Sequence, residues 1–192
     1  MKAGTRAQSQ QRTRILLVDA ATTLFLRDGF RATSLEQIGD EAGFTRGAVY
    51  SNFDSKTAIG LAVIDGMYDR VAQQLEAAVT AVPDGDAWFD QLAAVADKTI
   101  RDPAWTRLEI EVGAAATNDD AYRAATAARY ARLRAFWARL LEQQFGSTLL
   151  DPEALAGILL AFALGAGVQR AADPTLTVSS WVTQLRALIP RS

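Results

Sequence analysis

Residues 45–56 combine an arginine, two small residues and several neutral hydrogen-bond donors in one short stretch. The guanidinium of Arg46 can donate two hydrogen bonds to a guanine edge, the commonest sequence-specific contact between protein and DNA. Gly47 and Ala48 carry little bulk, so a helix that contains them can approach base edges closely. Hydroxyl, amide and ammonium groups can bind phosphate oxygens and fix the register. These residue types predict a DNA-contacting surface formed by Thr45, Arg46, Gly47, Ala48, Tyr50, Asn52 and Lys56.

Local signals predict the helices that would position this surface. Thr33 and Glu36 have the Thr-x-x-Glu spacing of a capping box, which favours a helix start. Gly43 suits the left-handed residue that ends the same helix. Thr45 can cap a second short helix that runs to Asn52. Two short helices joined by a glycine turn are typical of a helix-turn-helix, whose second helix enters the major groove of DNA.

A longer pattern extends over this region. It consists of Gly29-Phe30, Thr33, Ile38, Ala42-Gly43-Phe44-Thr45, Gly47, Val49-Tyr50, Asn52-Phe53 and Lys56. This pattern resembles the N-terminal signature of the tetracycline-repressor (TetR) family over roughly Arg12 to Gly66. Two positions depart from it, because the family usually has alanine where Gly39 stands and often histidine where Asn52 stands. Neither departure breaks the pattern.

The resemblance implies a dimeric transcription regulator, usually a repressor that a small ligand releases from DNA. It adds one residue, Thr33, to the predicted contacts with double-stranded DNA. Because such proteins bind as two-fold dimers, a palindromic operator is expected. Two alternative functions are a DNA-binding regulator without small-molecule control and a transcriptional activator.

Composition and charge limit the function. The chain has 192 residues, of which 49% are hydrophobic, enough for a substantial core. The net charge of −2 divides into +2 for residues 1–56 and −4 for residues 57–192. The acid-free first fourteen residues predict a basic arm over residues 1–11, which could follow DNA phosphates or form a solvated tail. Cysteine is absent and no secretory signal is apparent, which suits the cytoplasm.

Helical periodicity recurs along the whole chain, and no alternating strand pattern is present. We expect an all-α fold of about nine helices, with a DNA-binding domain over residues 12–66 and a ligand-binding and dimerisation domain over residues 67–192. A long helix is predicted from Asp54. Helix starts are predicted at three Asp-Pro pairs, in which Asp102, Asp151 and Asp173 would be the caps.

The uncharged stretch Ala154–Val168 is shorter than the ~20 residues needed to span a membrane. Its small residues recur every four positions and leave a groove for a neighbouring helix. The helix could be buried within one subunit, or it could form a subunit interface with the final helix; the family resemblance favours the interface. The expected interface residues are Gly157, Ala161, Gly165, Trp181, Leu185 and Leu188.

The second half of the chain is rich in large apolar side chains, and core packing explains most of them. The resemblance places a ligand cavity here, for a small and largely apolar effector. The candidate lining residues are Met67, Tyr68, Trp88, Trp105, Leu108, Glu109, Trp137 and Phe162. Glu109 could equally be an exposed carboxylate. The arginines between Arg123 and Arg139 could suggest an anionic ligand, although a solvated face is the plainer interpretation.

Two other classes of protein fit less well. An enzyme is disfavoured because histidine and cysteine are absent and no phosphate loop or metal-type carboxylate cluster occurs, so neither a metal nor another cofactor is expected. A sequence-nonspecific architectural DNA binder would be strongly basic, whereas the pI here is near 5.2.

Overall fold

A computed structural model describes residues 3–82, 85–116, 118–146 and 151–187 of the chain. These residues form helices and connecting turns and contain no β-strand, so the all-α prediction is confirmed. In chain order the helices are α1 (Ala3–Asp28), α2 (Leu35–Ala42), α3 (Arg46–Tyr50), α4 (Lys56–Thr80), α5 (Gly85–Ile100), α6 (Pro103–Ala115), α7 (Asp120–Phe145), α8 (Pro152–Ala172) and α9 (Val178–Ala187).

The described residues form two compact units. The N-terminal unit extends to Met67 and also contains Arg107–Ala125. The C-terminal unit contains Tyr68–Thr106 and the described residues from Thr126 onward. The first break therefore lies close to the predicted boundary after residue 66, while the C-terminal part of α6 packs with the N-terminal unit. Helices α4, α6 and α7 each contribute residues to both units.

The N-terminal unit has a dense apolar core. The inward stripe of α1 is fully or almost fully buried at Leu17, Leu24 and Phe25. Phe25 packs against Phe30 with ring centroids 5.1 Å apart. Val49 of α3 is completely buried in the same unit, so the short third helix is anchored by its inner face.

Three details of this unit correct the sequence-based expectations. Helix α1 begins at Ala3, before the predicted domain start at residue 12, so the described part of the predicted basic arm is helical, while Lys2 lies outside the described residues. Helix α2 is capped by Ser34, not Thr33. The Ser34 hydroxyl accepts from the Gln37 amide over 3.1 Å, and Gln37 Oε1 accepts from the Ser34 amide over 2.7 Å. Helix α4 begins after Ser55 rather than Asp54, because the Ser55 hydroxyl accepts from the Ala58 amide over 3.1 Å.

The C-terminal unit is built around Trp88, which is 1% exposed and contacts Phe89 and Phe145 edge-on at 5.2 and 5.4 Å. The predicted aspartate caps are confirmed at Asp102, which accepts from the Ala104 amide, and at Asp151, which accepts from two amides of α8. The prediction at Asp173 is wrong. This residue ends α8, and its carboxylate accepts from Thr175 within a turn, because the next helix starts only at Val178.

Helix α8 is longer than its uncharged segment suggested. It has 21 residues, and its most apolar stretch has a mean hydropathy of 1.6, so by length and composition it is sufficient to cross a membrane. Only 22% of that stretch is buried within the chain. Much of the apolar surface of this helix is therefore not covered by the rest of the described chain.

Candidate DNA-binding surface and effector region

Helix α3 is held so that one face is buried and the other is open to solvent. Its N-cap Thr45 accepts a hydrogen bond from the Ala48 amide over 3.3 Å, as predicted. Thr45, Arg46 and Gly47 are exposed, as is Tyr50 at 45% of its surface. Gly43 precedes this helix at a φ of +73°, which permits the sharp turn from α2. The arrangement is that of a helix-turn-helix with a presented second helix.

Arg46 is pre-engaged on this exposed face. Its guanidinium lies 3.0 Å from the carboxylate of Glu36 in α2 and 3.3 Å from the hydroxyl of Tyr50. The hydrogen bond to Tyr50, followed by the negative charge of Glu36, raises the pKa of Arg46. Arg46 therefore stays charged, and the donors that contact Glu36 and Tyr50 are occupied in the free protein. Glu36 was predicted only as the partner of Thr33 in a capping box, whereas its carboxylate faces Arg46 of α3.

Thr33 does not belong to the exposed surface. Only 2% of it is accessible, and its hydroxyl donates to the carbonyl oxygen of Gly29 over 2.8 Å. The side chain thus fixes the turn between α1 and α2. Its predicted contact with DNA is corrected by this burial, because a phosphate cannot reach a covered hydroxyl.

Lys56 is directed back into the protein. Its ammonium donates to the carbonyl oxygens of Phe30 and Thr33, each over 2.9 Å, and lies 4.6 Å from the centre of the Phe30 ring. A third carbonyl oxygen, that of Arg31, is 3.4 Å away. Burial lowers the pKa of Lys56, and the nearby charge of Glu111 opposes this effect. The ammonium of Lys56 was predicted to bind a DNA phosphate. In this conformation it instead holds the turn that precedes α2.

Asn52 is also used internally. Its side-chain amide donates to the carbonyl oxygen of Ala48 over 2.8 Å, and its main-chain carbonyl accepts from Arg14 over 2.7 Å. The Arg14 guanidinium lies 4.0 Å from the centre of the Phe53 ring. Arg14 therefore ties α1 to the C-terminal end of α3. This contact has no signal in the sequence, because it joins residues 38 positions apart.

Gly39 explains how closely α2 and α3 pack. A Cβ atom at this position would lie 3.0 Å from the Phe44 carbonyl oxygen and 3.1 Å from a methyl group of Val49. An alanine here would require its neighbours to move by a few tenths of an ångström. The departure from the family pattern at Gly39 thus sets the spacing between the two helices of the motif.

The predicted effector-binding residues are divided between the two units. Met67 and Leu108 are buried in the core of the N-terminal unit, where half-buried Glu109 also lies. Tyr68 packs edge-on against Trp105 at 5.2 Å in the C-terminal unit.

The remaining aromatic candidates are distributed within the C-terminal unit. Trp88 belongs to its core, Trp137 lies beside Phe136 at 6.0 Å, and Phe162 lies 5.2 Å from Trp181. A surface groove of about 290 Å³ runs between α5 and α9, and none of the eight candidates lines it; its lining residues are Phe89, Asp90, Ala93, Ala94, Asp97, Ser179 and Val182.

The arginines of α7 divide into two kinds. Arg123, Arg132, Arg134 and Arg139 are exposed, as a solvated face requires. Arg129 is only 2% exposed, so the interpretation of the whole run as a solvated face is wrong at this residue. Arg129 lies four residues before Leu133 and therefore on the inward face of α7. This spacing could have distinguished Arg129 from the exposed arginines of the helix.

The predicted interface residues on α8 lie on a partly open surface. Ala161 is exposed, Gly157 and Gly165 are partly exposed, and Ile158 and Val168 expose 58% and 53% of their surfaces. Trp181 of α9 is half-buried. The side chain of Leu185 and the whole of Leu188 lie outside the described residues.

Comparisons with known proteins identify the family. Residues 17–63 match the family model described as "Bacterial regulatory proteins, tetR family", and residues 83–191 match the one described as "Tetracyclin repressor-like, C-terminal domain". These two matches cover most of the chain. The protein belongs to the TetR family of transcriptional regulators, as the sequence pattern indicated.

Individual relatives agree with this assignment. The chain is 32% identical over 96 residues to the HTH-type transcriptional repressor KstR2 of Rhodococcus jostii (strain RHA1). That match covers 50% of this chain and 46% of the relative, so the chain matches about half of the relative's length.

Two solved structures share the fold. A protein from Rhodococcus sp. RHA1, described as a transcriptional regulator, superposes with a TM-score of 0.79 at 18% identity over 93% of this chain and 97% of the other. The multidrug binding protein EbrR complexed with imidazole superposes with a TM-score of 0.68 at 21% identity, over 93% and 90% of the two chains.

Proposed function

We propose that this protein is a homodimeric repressor that binds a palindromic operator through α3 and is released by a small, largely apolar ligand. The observation that carries the proposal is the presentation of α3. Val49 is completely buried, whereas Thr45, Arg46, Gly47 and Tyr50 of the same segment face solvent. A short helix whose inner face is packed in the core and whose outer face is exposed can enter the major groove without rearrangement of the surrounding helices.

Each exposed residue has a defined role in this proposal. Arg46 reads a guanine edge, and the absence of a side chain at Gly47 permits close approach to the bases. Thr45 and Tyr50 donate to phosphates and set the register. Lys56 holds the turn that precedes α2, and Asn52 holds the C-terminal end of α3, through the internal hydrogen bonds described above.

The uncovered face of α8 supports a dimer. Apolar side chains such as Ile158 and Val168 are exposed on a helix whose small residues Gly157, Ala161 and Gly165 leave room for a neighbouring helix. A second copy of the same helix would cover this face, and a two-fold dimer would set two recognition helices about 34–36 Å apart, or a multiple of that distance.

Release by a ligand is supported by the continuity of α4. Its residues Lys56–Met67 belong to the N-terminal unit and Tyr68–Thr80 to the C-terminal unit, so one helix enters both. The likeness in fold to the multidrug binding protein EbrR is consistent with a ligand-binding C-terminal unit. A ligand acts only through its different affinities for the two conformations, and typical coupling changes DNA affinity about 5- to 150-fold. As a DNA-binding regulator, the protein would act in the cytoplasm, with α8 in the dimer rather than in a membrane.

Selection of DNA from a random pool tests the proposal, followed by salt titrations of binding to the selected and to random sequences. A repressor of this kind should select palindromic sites and bind them at least about a thousandfold more tightly than random DNA. Equal affinities would indicate a nonspecific binder and contradict the proposal. Reporter assays with the selected site distinguish repression from activation. A screen for compounds that dissociate the protein from its operator distinguishes a ligand-controlled regulator from one controlled only by its own concentration.

A further inference from the structure

The inward face of α7 changes from polar to apolar along its length. Thr126, Arg129, Leu133, Trp137 and Leu140 follow one another at helical spacing and therefore share a face. Leu140 is 2% exposed in the core of the C-terminal unit, and Trp137 packs against the same core. The polar end of this face is buried as well, since Arg129 is 2% exposed.

Two polar atoms at this end retain hydrogen-bonding capacity. The Thr126 hydroxyl oxygen and the Arg129 Nη2 atom are buried and form no hydrogen bond. Arg129 has other interactions, but a guanidinium carries five N–H donors, so Nη2 can still donate while the rest of the group is engaged. Thr126 and Arg129 are three residues apart in the helix and lie side by side. Buried polar groups are normally satisfied, which makes this pair unusual.

We propose that Thr126 and Arg129 receive the carboxylate of the effector. This inference rests on the proposed function and names the chemical class of its ligand: an amphiphile with one anionic head and an apolar tail. Arg129 Nη2 and the Thr126 hydroxyl each donate to the head group, and charged hydrogen bonds of this kind are the stronger ones. The tail follows Leu133 and Trp137. Eight residues of helix separate Arg129 from Trp137, roughly 12 Å, the length of a medium acyl chain.

The other arginines of α7 provide the contrast within the same helix. Arg139 pairs with Glu76 over 2.7 Å and Arg123 pairs with Asp120, both at the protein surface. Arg134 is exposed. An anion attracted only by general positive charge would bind at this solvated face. A carboxylate bound at Thr126 and Arg129 would depend on those two side chains instead.

The first experiment compares three probes that differ only in the head group: octanoate, octanol and octylammonium. Calorimetric titration and thermal shift of the full-length protein should show octanoate binding about 10- to 100-fold more tightly than either of the others, as charged hydrogen bonds at a buried site imply. Equal affinities for octanoate and octanol, or no binding of octanoate, would overturn the proposal.

The second experiment locates the site. Thr126→Val removes the hydroxyl at nearly constant volume and should weaken octanoate several-fold while leaving octanol unchanged. Thr99→Val is the matched control, because the Thr99 hydroxyl already donates to the Val95 carbonyl over 2.8 Å. Arg129→Gln should abolish the preference for octanoate, and Arg134→Gln should not. Circular dichroism verifies that each variant is folded. If Thr126→Val binds octanoate as tightly as the parent protein does, the Thr126 hydroxyl does not contact the carboxylate and the proposal is wrong.

The failure of this inference can be distinguished from failure of the proposed function. Operator binding is measured separately in the presence of octanoate. Selective octanoate binding with unchanged operator affinity would support the anion site and contradict ligand release. Release of the operator by octanol and octanoate alike would support ligand release and contradict the anion site.

Discussion

The ammonium of Lys56, at the first position of α4, donates to the carbonyl oxygen of Thr33 over 2.9 Å. Thr33 directly precedes Ser34, the cap of α2. One side chain therefore joins the start of the long fourth helix to the start of the helix-turn-helix. Glu111 of α6 also binds this turn, since its carboxylate accepts from the Arg31 amide over 3.2 Å. The orientation of α2 thus depends on side chains that lie outside the exposed face of α3.

Replacing Lys56 by methionine should lower the free energy of unfolding by ~1–3 kcal/mol, because carbonyl oxygens lose a charged donor. The salt dependence of operator binding should stay unchanged, since its slope counts phosphate contacts. Urea unfolding and binding titrations measure the two effects. Lys98→Met, at an exposed position of α5, is the control. If the variant keeps its stability but the slope of log affinity against log salt concentration falls in magnitude by about one, Lys56 binds a phosphate instead.

Replacing Arg46 by alanine should weaken operator binding about 5- to 150-fold and relax the preference at one base position. Fluorescence anisotropy with single-base operator variants measures both. Arg101→Ala removes an exposed arginine from the C-terminal unit and should leave both unchanged. If Arg46→Ala keeps full affinity and specificity, another residue reads the base.

Glu36 should compete with DNA for Arg46, because its carboxylate lies 3.0 Å from the guanidinium in the free protein. Glu36→Gln is therefore expected to raise operator affinity by up to about fivefold, the range of an exposed ion pair. Glu41→Gln, also exposed on α2, should have a smaller effect. Combining Glu36→Gln with Arg46→Ala should eliminate the gain. Weaker binding by Glu36→Gln alone would show that the carboxylate itself contacts DNA.

The helix-turn-helix could be predicted because its signals are local. Gly43 and Thr45 end one helix and start the next through their own backbone and side chain. The choice between Thr33 and Ser34 as cap was not predictable in this way. Both residues carry a hydroxyl, and the burial of Thr33 against the Gly29 carbonyl leaves Ser34 as the one free to cap.

Residues that act through tertiary contacts were harder to place, for a related reason. Lys56 was predicted to bind a phosphate, and its long-range carbonyl partners could not be inferred from neighbouring residues. Arg129 was grouped with other arginines by its place along the chain, whereas its place around the helix sets it apart. Periodicity could have located Arg129 on the inward face, but not the unsatisfied atoms beside it.

Two glycines on either side of Thr45 should respond oppositely to alanine. Gly43 has a φ of +73°, so Gly43→Ala should cost ~1–2 kcal/mol of stability even though no neighbour lies within 4 Å of the added methyl. Gly47 is helical and exposed, so Gly47→Ala should stabilise by up to ~1 kcal/mol. Its methyl would nevertheless stand where base edges approach, and operator affinity should fall. Thermal unfolding and anisotropy check both variants; unchanged affinity for Gly47→Ala would mean that α3 does not approach the bases at this residue.

Dimerisation through α8 should be sensitive to charge at its small-residue groove. Ala161 is exposed in the isolated chain, so Ala161→Arg should leave the fold intact but place an unpaired charge in the proposed interface and dissociate the dimer. Sedimentation velocity at micromolar concentration measures the change. Ala128→Arg adds the same charge at an exposed position of α7 and should remain dimeric. A monomeric parent protein, or an Ala161→Arg variant that sediments as a dimer, would place the subunit contact elsewhere. Since two recognition helices must bind one palindrome together, the monomeric variant should also bind half-sites and full operators with nearly equal affinity.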